Sequence, residues 1–362
     1  MRTVGVEEEL LLVDPDFGDP KALAAAVLAH AALDDPGQHV FEPELFGQML
    51  EFATHPQSDM ADLGEEIVRC RKEAARHAGQ IGCGVAALAT SPLPVSPSLS
   101  VNERYQWLAG RFGIPTWDQL VCGCHVHVSV ESDEEGIAVL DRLRPWLAVL
   151  RAISANSPFW QGGNTGYASY RSRVWNRWPS AGPTEPFGTA ERYHRRVADM
   201  VATGVILDER MAYFDARLSA RYPTVEIRVA DVCLCAESAV LIATLVRALV
   251  ETAAREWRAG RPASGADVSM LRLADWQAAR FGLEKDLLDP VTLRPRPAPH
   301  VLRSVLEYTG DALTDSGDAV RASQAVEELL RTGNGARKQL ALLERTGSLR
   351  DVVTECVRRT QG

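Results

Sequence analysis

The chain has 362 residues, 46% hydrophobic and 24% charged, which suits a globular protein with one large core or two modest ones. Its formal net charge of -9 excludes a general nucleic-acid surface, which needs a basic stripe, and weakens attraction to an anionic membrane, so small molecules are the expected partners. The seven cysteines are odd in number and lack a disulfide-scaffold spacing, and no charged and apolar leader precedes the first strand, which together predict a cytosolic protein.

The first predicted strand, residues 4–13, reads VGVEEELLLV. Strand side chains alternate, so Glu7 and Glu9 share a face with Gly5 and Leu11, while Val4, Val6, Leu10 and Leu12 form the other. Two carboxylates side by side repel, and burying them unpaired costs on the order of several kcal/mol each, so a positive partner is required. Glu8 breaks the pattern on the apolar face and is expected to pair locally or to lie at an interface. Within EPELFGQMLEFATHP, Glu44 and Glu51 bracket a second strand over 48–54. A helix is predicted over 59–79 and a strand over 84–90. The GCGVAA at 82–87 starts like a dinucleotide fingerprint, but it follows a helix and precedes a strand, the reverse of what phosphate cradling needs.

In CGCHVHVSV, over a strand at 121–130, parity places His125, His127 and Ser129 on one face and Cys122, Cys124, Val126 and Val128 on the other. One strand cannot direct both faces at one ion, so the first C-x-C pair is assigned to core packing rather than to zinc. A helix over 133–154 opens on Ser132 with Glu135 three residues on, a capping box. Residues 159–187, rich in Gly, Trp, Arg and Pro, read as a long ordered loop, the kind that carries function. Helices follow over 190–203 and 236–259. The apolar run 236–250 contains Glu237 and Arg247, so it reads as a buried helix and not a membrane span. Between these helices, TVEIRVAD forms a strand over 224–230 with Thr224, Glu226 and Arg228 on one face and Val225, Ile227 and Val229 on the other. A loop at 289–300 precedes a helical, charged C-terminal part with a helix over 317–331.

Four strands therefore repeat one design, reactive polar groups on one face and apolar groups behind, as in a sheet with a charged concave surface. Several carboxylates with an imidazole and no aligned thiolate make a hard-ligand set suited to Mg²⁺ or Mn²⁺. Such ions attract phosphate oxygens. Arg171, Arg173 and Arg228 could neutralise a transferring phosphoryl group or hold a substrate carboxylate. Phosphoryl transfer is the chemistry indicated, without a Walker loop, since GxxxxGK[ST] is absent from the sequence.

The ordered set GVEEELLLVD, ELFGQMLEFAT, CGCHVHV, YRSRVW and TVEIRVAD resembles the type 2 glutamate-cysteine ligase family, ATP-dependent carboxylate-amine ligases related to glutamine synthetase. The resemblance implies an α+β fold shared with glutamine synthetase and the guanido kinases. In that fold a curved, mainly antiparallel sheet forms the active-site face with helices packed behind, here as one domain over 1–362, helical from about 264. It implies that Glu7, Glu9, Glu44, Glu51, His125 and Glu226 bind two or three Mg²⁺ or Mn²⁺ ions that grip ATP. By the same resemblance Arg228 is a phosphate or acyl-phosphate contact, and Arg171 and Arg173 resemble substrate and γ-phosphate arginines. The implied partners are ATP, a glutamate-like carboxylate and an amine such as cysteine or another amino acid.

Other readings stand beside these. Glu7 and Glu9 taken alone suit a solvated strand face, and Glu44 an ordinary loop acid. His127 fits a contact to the nucleotide, a group supporting the ligands, or a hydrogen-bonded histidine without further role. Of Arg171, Arg173 and Arg177, at least one is expected to stack on Trp175 or Trp178. A metal-dependent hydrolase would explain His125 and His127 but not the Glu-x-Arg strand; a catalytically silent ATP- and metal-binding protein is the third possibility. The Trp-rich surface and long sheet suggest a homodimer.

Overall fold

The computed structural model describes residues 1–34 and 40–361. Its centre is an antiparallel sheet of seven strands: β1 (Val4–Val13), β2 (Phe41–Pro43), β3 (Met49–Ala53), β4 (Gly84–Ala86), β5 (Gly123–Ser129), β6 (Ala216–Leu218) and β7 (Thr224–Asp231). The spatial order is β2-β3-β1-β5-β7-β6. β1 is long enough to pair with β3 on one edge and, on the other, with β5 through its first half and β4 through its last three residues.

Alternation then does what the sequence requires. Val4, Val6, Leu10 and Leu12 join Val126, Val128, Val225 and Ile227 in a buried apolar layer. Helices α1 (Met60–Gly79), α2 (Asp133–Leu143), α3 (Leu147–Ser154) and α4 (Ala236–Arg258) cover that layer, with α4 packed against β1, β5 and the other three helices. The opposite face carries the polar groups. The sheet is thus anchored on one side and free on the other to build a site.

The predicted helix over 133–154 is interrupted. Pro145 lacks an N–H and clashes with the preceding turn, so a 3₁₀ turn at Arg144–Trp146 separates α2 from α3. Ser132 caps α2 by accepting from the Glu135 N–H at 3.2 Å, but Glu135 does not close the box: its carboxylate accepts from the Glu131 N–H and from Arg2 and Arg258. The strand expected over 84–90 pairs only as far as Ala86. The loop at 159–187 contains a minimal hairpin, Phe159–Trp160 with Gly163–Asn164, and a short helix, Arg171–Trp175. The loop at 289–300 includes a strand, Pro295–Pro297, and ends in a helix beginning at Ala298. Helices Ala24–Asp34 and Glu103–Phe112 and the short strands β2 and β6 were not foreseen, whereas the helix Val268–Phe281 falls in the part expected to be helical from about 264. Among the described residues no helix is long and apolar enough to cross a membrane.

Glu8, the acid on the apolar face, is completely buried and meets Arg71 of α1, 63 residues away, in a two-pronged pair with both bonds at 2.8 Å. Arg71 also donates to the carbonyls of Cys233 and Leu234 at 2.7 and 3.2 Å, which ties α1 to the end of β7. The pairing is across the core rather than local. Truncating one member leaves the other charge buried, so Arg71→Met should cost about 3–5 kcal/mol in a urea denaturation, and Glu8→Leu combined with Arg71→Met should recover most of it. A single substitution costing less than about 1 kcal/mol would remove the pair from the account of the core.

Candidate active site

The registers of the sheet bring together side chains that are far apart in sequence. Glu9 stands opposite Glu51, and Glu51 opposite Glu42. Glu7 stands opposite His125, His127 opposite Glu226, and Glu226 opposite Arg217. Cross-strand neighbours on one face lie about 4.5–5.5 Å apart at Cβ, so this ladder is a continuous row of ionisable groups. It lines a cavity of about 640 Å³ whose walls include Glu7, Glu9, Glu44, Glu51, His125, His127, Glu226 and Arg228. Tyr105, Trp175, Trp178 and Tyr213 close one side with aromatic surface.

Three overlapping groups present ligand atoms mutually within 4.8 Å: Glu7 with His127 and Glu226, Glu7 with Glu51 and His125, and Glu9 with Glu44 and Glu51. Cys122 and Cys124 are buried in the core, and neither belongs to these groups. Electrostatics fit cation binding. Desolvation, then the neighbouring charge of Glu9, pushes Glu44 up to about 7. Glu51 is raised well above the ordinary carboxylate range by desolvation and then by Glu44, Glu7 and Glu9. Glu9 is raised by burial, against the opposing pull of Arg171 and of the Gly123 N–H that donates to it. Crowding and burial shift all three toward the protonated form, and a bound cation would displace those protons. His125 leaves its Nε2 buried without a partner among the described residues, and desolvation followed by the charge of Arg228 lowers it to about 4, which favours the neutral imidazole, the form that ligates metal.

The other end of the row is differently balanced. Burial works to raise Glu7 and Glu226, but both are held low: Glu7 by hydrogen bonding to His125 and His127, Glu226 by the charges of Arg228 and Arg217. Arg217 donates to Glu226 at 2.7 Å, and Arg228 pairs with the same carboxylate. His127 Nδ1 lies 3.0 Å from Thr224 Oγ1. Sequence reasoning passed over Arg217, because only the register of the short strand β6 sets it against Glu226. It also passed over Arg104 and Arg210, both paired with Asp208 at the cavity wall, and Glu42.

Two of the expected arginines are not in the cavity wall. Arg173 turns away to pair with Asp275, which it shares with Arg151. Arg171 is buried behind Glu9, its guanidinium carbon 5.5 Å from the Trp175 ring centre. Arg228 lies 5.6 Å from the same ring. The stacking partner among the loop arginines is therefore Arg171, while Arg177 pairs with Asp118 at the surface. Gly123 leaves the space that Arg171 fills, since a Cβ there would stand 2.2 Å from the guanidinium Nη2.

The model of glutamate-cysteine ligase family 2 matches residues 3–355. The chain is 72% identical over 362 residues, 100% of both chains, to a Streptomyces avermitilis protein named "Putative glutamate--cysteine ligase 2-1". It is 68% identical over 361 residues to the Streptomyces coelicolor "Putative glutamate--cysteine ligase 2", covering 100% of this chain and 99% of that one. Among solved structures, the glutamate-cysteine ligase of Francisella tularensis in complex with AMP matches with a TM-score of 0.71 at 11% identity, over 99% of this chain and 88% of that chain. A bifunctional glutathione synthetase from Pasteurella multocida matches with a TM-score of 0.73 at 15% identity, over 99% and 52%. At these identities the structural likeness is one of fold, and it is the α+β fold expected from the motifs.

The raised carboxylates make cation binding pH-dependent. Glu44 in the metal-free folded protein binds a proton that the unfolded chain, with an ordinary value of 4.5, releases earlier. Its contribution to stability is full below about pH 4.5 and is lost as pH rises through about 7. Metal-free wild type should therefore lose melting temperature relative to Glu44→Gln across that window, while its affinity for Mg²⁺ rises and binding releases protons in calorimetry. Parallel melting curves and no proton release would contradict the assignment.

Proposed function

The chain belongs to glutamate-cysteine ligase family 2, and on that basis we propose that it joins a carboxylate to an amine at the expense of ATP, through an acyl phosphate. The observation that carries this reading is the continuous row of ligand groups from Glu44 to Glu226 with Arg228 and Arg217 at its end, all in one cavity. The carboxylate is glutamate-like, reacting at its γ-carboxyl, and the amine is cysteine or another amino acid.

In the first step a substrate carboxylate oxygen attacks the γ-phosphorus of ATP and ADP leaves. In the second the amine nitrogen attacks the acyl carbon, phosphate leaves, and the amine proton is released. The first step brings one anion against another, so the barrier is largely Coulombic. Glu7, Glu9, Glu44, Glu51, His125 and Glu226 would hold Mg²⁺ or Mn²⁺, ions that offset the charge of the triphosphate and polarise the transferring group. Arg228 is fixed between Glu226 and Trp175, so its guanidinium can meet charge developing on the phosphoryl or acyl-phosphate oxygens without reorganising. Arg217 holds Glu226 from the neighbouring strand. In this proposal Arg171 and Arg173 act from outside the cavity, Arg171 as the charge behind Glu9 and Arg173 through Asp275. The aromatic wall of Trp175, Trp178 and Tyr213 excludes water that would hydrolyse the acyl phosphate. The hydrolase alternative is not favoured, since it leaves the carboxylates at the far end of the row and the arginines beside Glu226 without work.

Incubation with Mg²⁺, ATP and amino-acid mixtures should release ADP only when a carboxylate and an amine donor are both present. ATP binding without turnover in any mixture would instead mark a silent member of the family. Glu51→Gln and Glu226→Gln should each lower ADP release by about a hundredfold or more with the fold intact, and unchanged release in both would refute the ligand assignments. Cys124→Ala should leave Mn²⁺ binding unaltered while lowering stability by about 1 kcal/mol through the cavity it creates, and loss of bound metal would overturn the separation of the two sheet faces.

A further inference from the structure

Asp231 ends β7 completely buried; beyond a bulge in the β5–β7 pairing it stands opposite Gly123 and shares that residue's face, and the chemistry above gives it no role. A buried carboxylate without compensation is costly, so its partners reveal its work. One oxygen accepts from the Asn156 N–H at 2.8 Å and the Ser157 hydroxyl at 2.7 Å; the other accepts from the Ser169 hydroxyl at 2.8 Å. These partners are the two ends of one loop. Ser157 N–H donates to Ala168 O, and Tyr170 N–H returns to Ser157 O, each at 3.0 Å, which closes the loop at its neck. The Ser157 hydroxyl oxygen in turn accepts from the Arg171 N–H at 3.0 Å, at the start of the Arg171–Trp175 helix.

That helix has a specific product. It delivers the Trp175 ring into the cavity wall, where the guanidinium groups of Arg171 and Arg228 lie 5.5 and 5.6 Å from its centre. Arg228 Nε has no hydrogen-bond partner among the described residues, and Glu226 at one side and this ring at the other set the orientation of Arg228. Arg171 also supplies positive charge near Asp231, and Gly123, the register partner of Asp231, leaves it room. We infer that Asp231 is a positioning residue: its carboxylate pins both ends of the 156–169 loop and thereby sets Trp175 against Arg228. Only the catalytic consequence for Arg228 rests on the ligase reading; the anchoring does not.

The test separates the two. In near-ultraviolet circular dichroism the difference between wild type and Trp175→Phe reports how firmly that indole is held. In an Asp231→Asn background the difference should vanish while the far-ultraviolet spectrum is unchanged. Turnover of Asp231→Asn should fall about tenfold to a hundredfold with KM for ATP within about twofold, since the lost element is alignment and not ground-state binding. Adding Trp175→Phe should cost little more, because both changes act through one route. Ser169→Ala removes one of the three hydrogen bonds to Asp231, and Ser157→Ala removes another together with the acceptor for the Arg171 N–H; both should give changes of the same kind, smaller for Ser169→Ala, which keeps the test decisive if Asp231→Asn does not fold. A difference spectrum that persists in the Asp231→Asn and serine variants, or losses of turnover that multiply, would overturn the inference. If no carboxylate and amine pair yields ADP with wild type, the ligase reading fails while the spectral comparison still decides the anchoring.

Discussion

Repulsion between carboxylates facing one another across a sheet governs this molecule. The register of β1 with β3 sets Glu9 opposite Glu51, Glu44 closes on the same point, and desolvation raises the charged-state cost of all three. No sheet would keep such an arrangement for stability. It persists because the core face of the same strands is well packed, so the register cannot slip by one residue without turning Val4, Val6, Leu10 and Leu12 out of the core. The apolar side thus stabilises what the polar side destabilises, and the strain is stored where a cation can relieve it.

The row is also graded. Around Glu44 and Glu51 acidic groups crowd together and favour the protonated form, whereas around Glu226 the arginines 217 and 228 hold the carboxylate charged and balance it. A polyanion approaching the cavity meets ready-made positive charge at one end and, at the other, sites that become positive only when loaded with cations. This gradient distinguishes the two ends of the cavity electrostatically, and it suits a reaction in which charge moves from one anionic group to another.

Two further buried charges hold the sheet to the rest of the fold. Glu8 is held by Arg71 of α1 and Asp231 by the neck of a long loop. Glu8 lies midway along β1 and Asp231 at the end of β7, and both tie strands that carry site residues to elements distant in sequence. Buried polar links of this kind are directional, so they fix geometry in a way that apolar packing does not.

Local chemistry was legible in the sequence: the alternation of β1, β5 and β7 gave the faces of Glu7, Glu9, His125, His127, Glu226 and Arg228, because side-chain direction along a strand depends only on parity. Helix ends such as Asp59 and Ser132 were legible for a similar reason, each cap being a contact within three residues. Tertiary structure alone decided which strands became neighbours. It set Arg217 against Glu226, drew Arg173 away to Asp275, buried Arg171 behind Glu9 and gave Glu8 a partner 63 residues distant. Periodicity fixes the direction in which a residue points, but what it meets there depends on register and on long-range packing, which no spacing along the chain encodes.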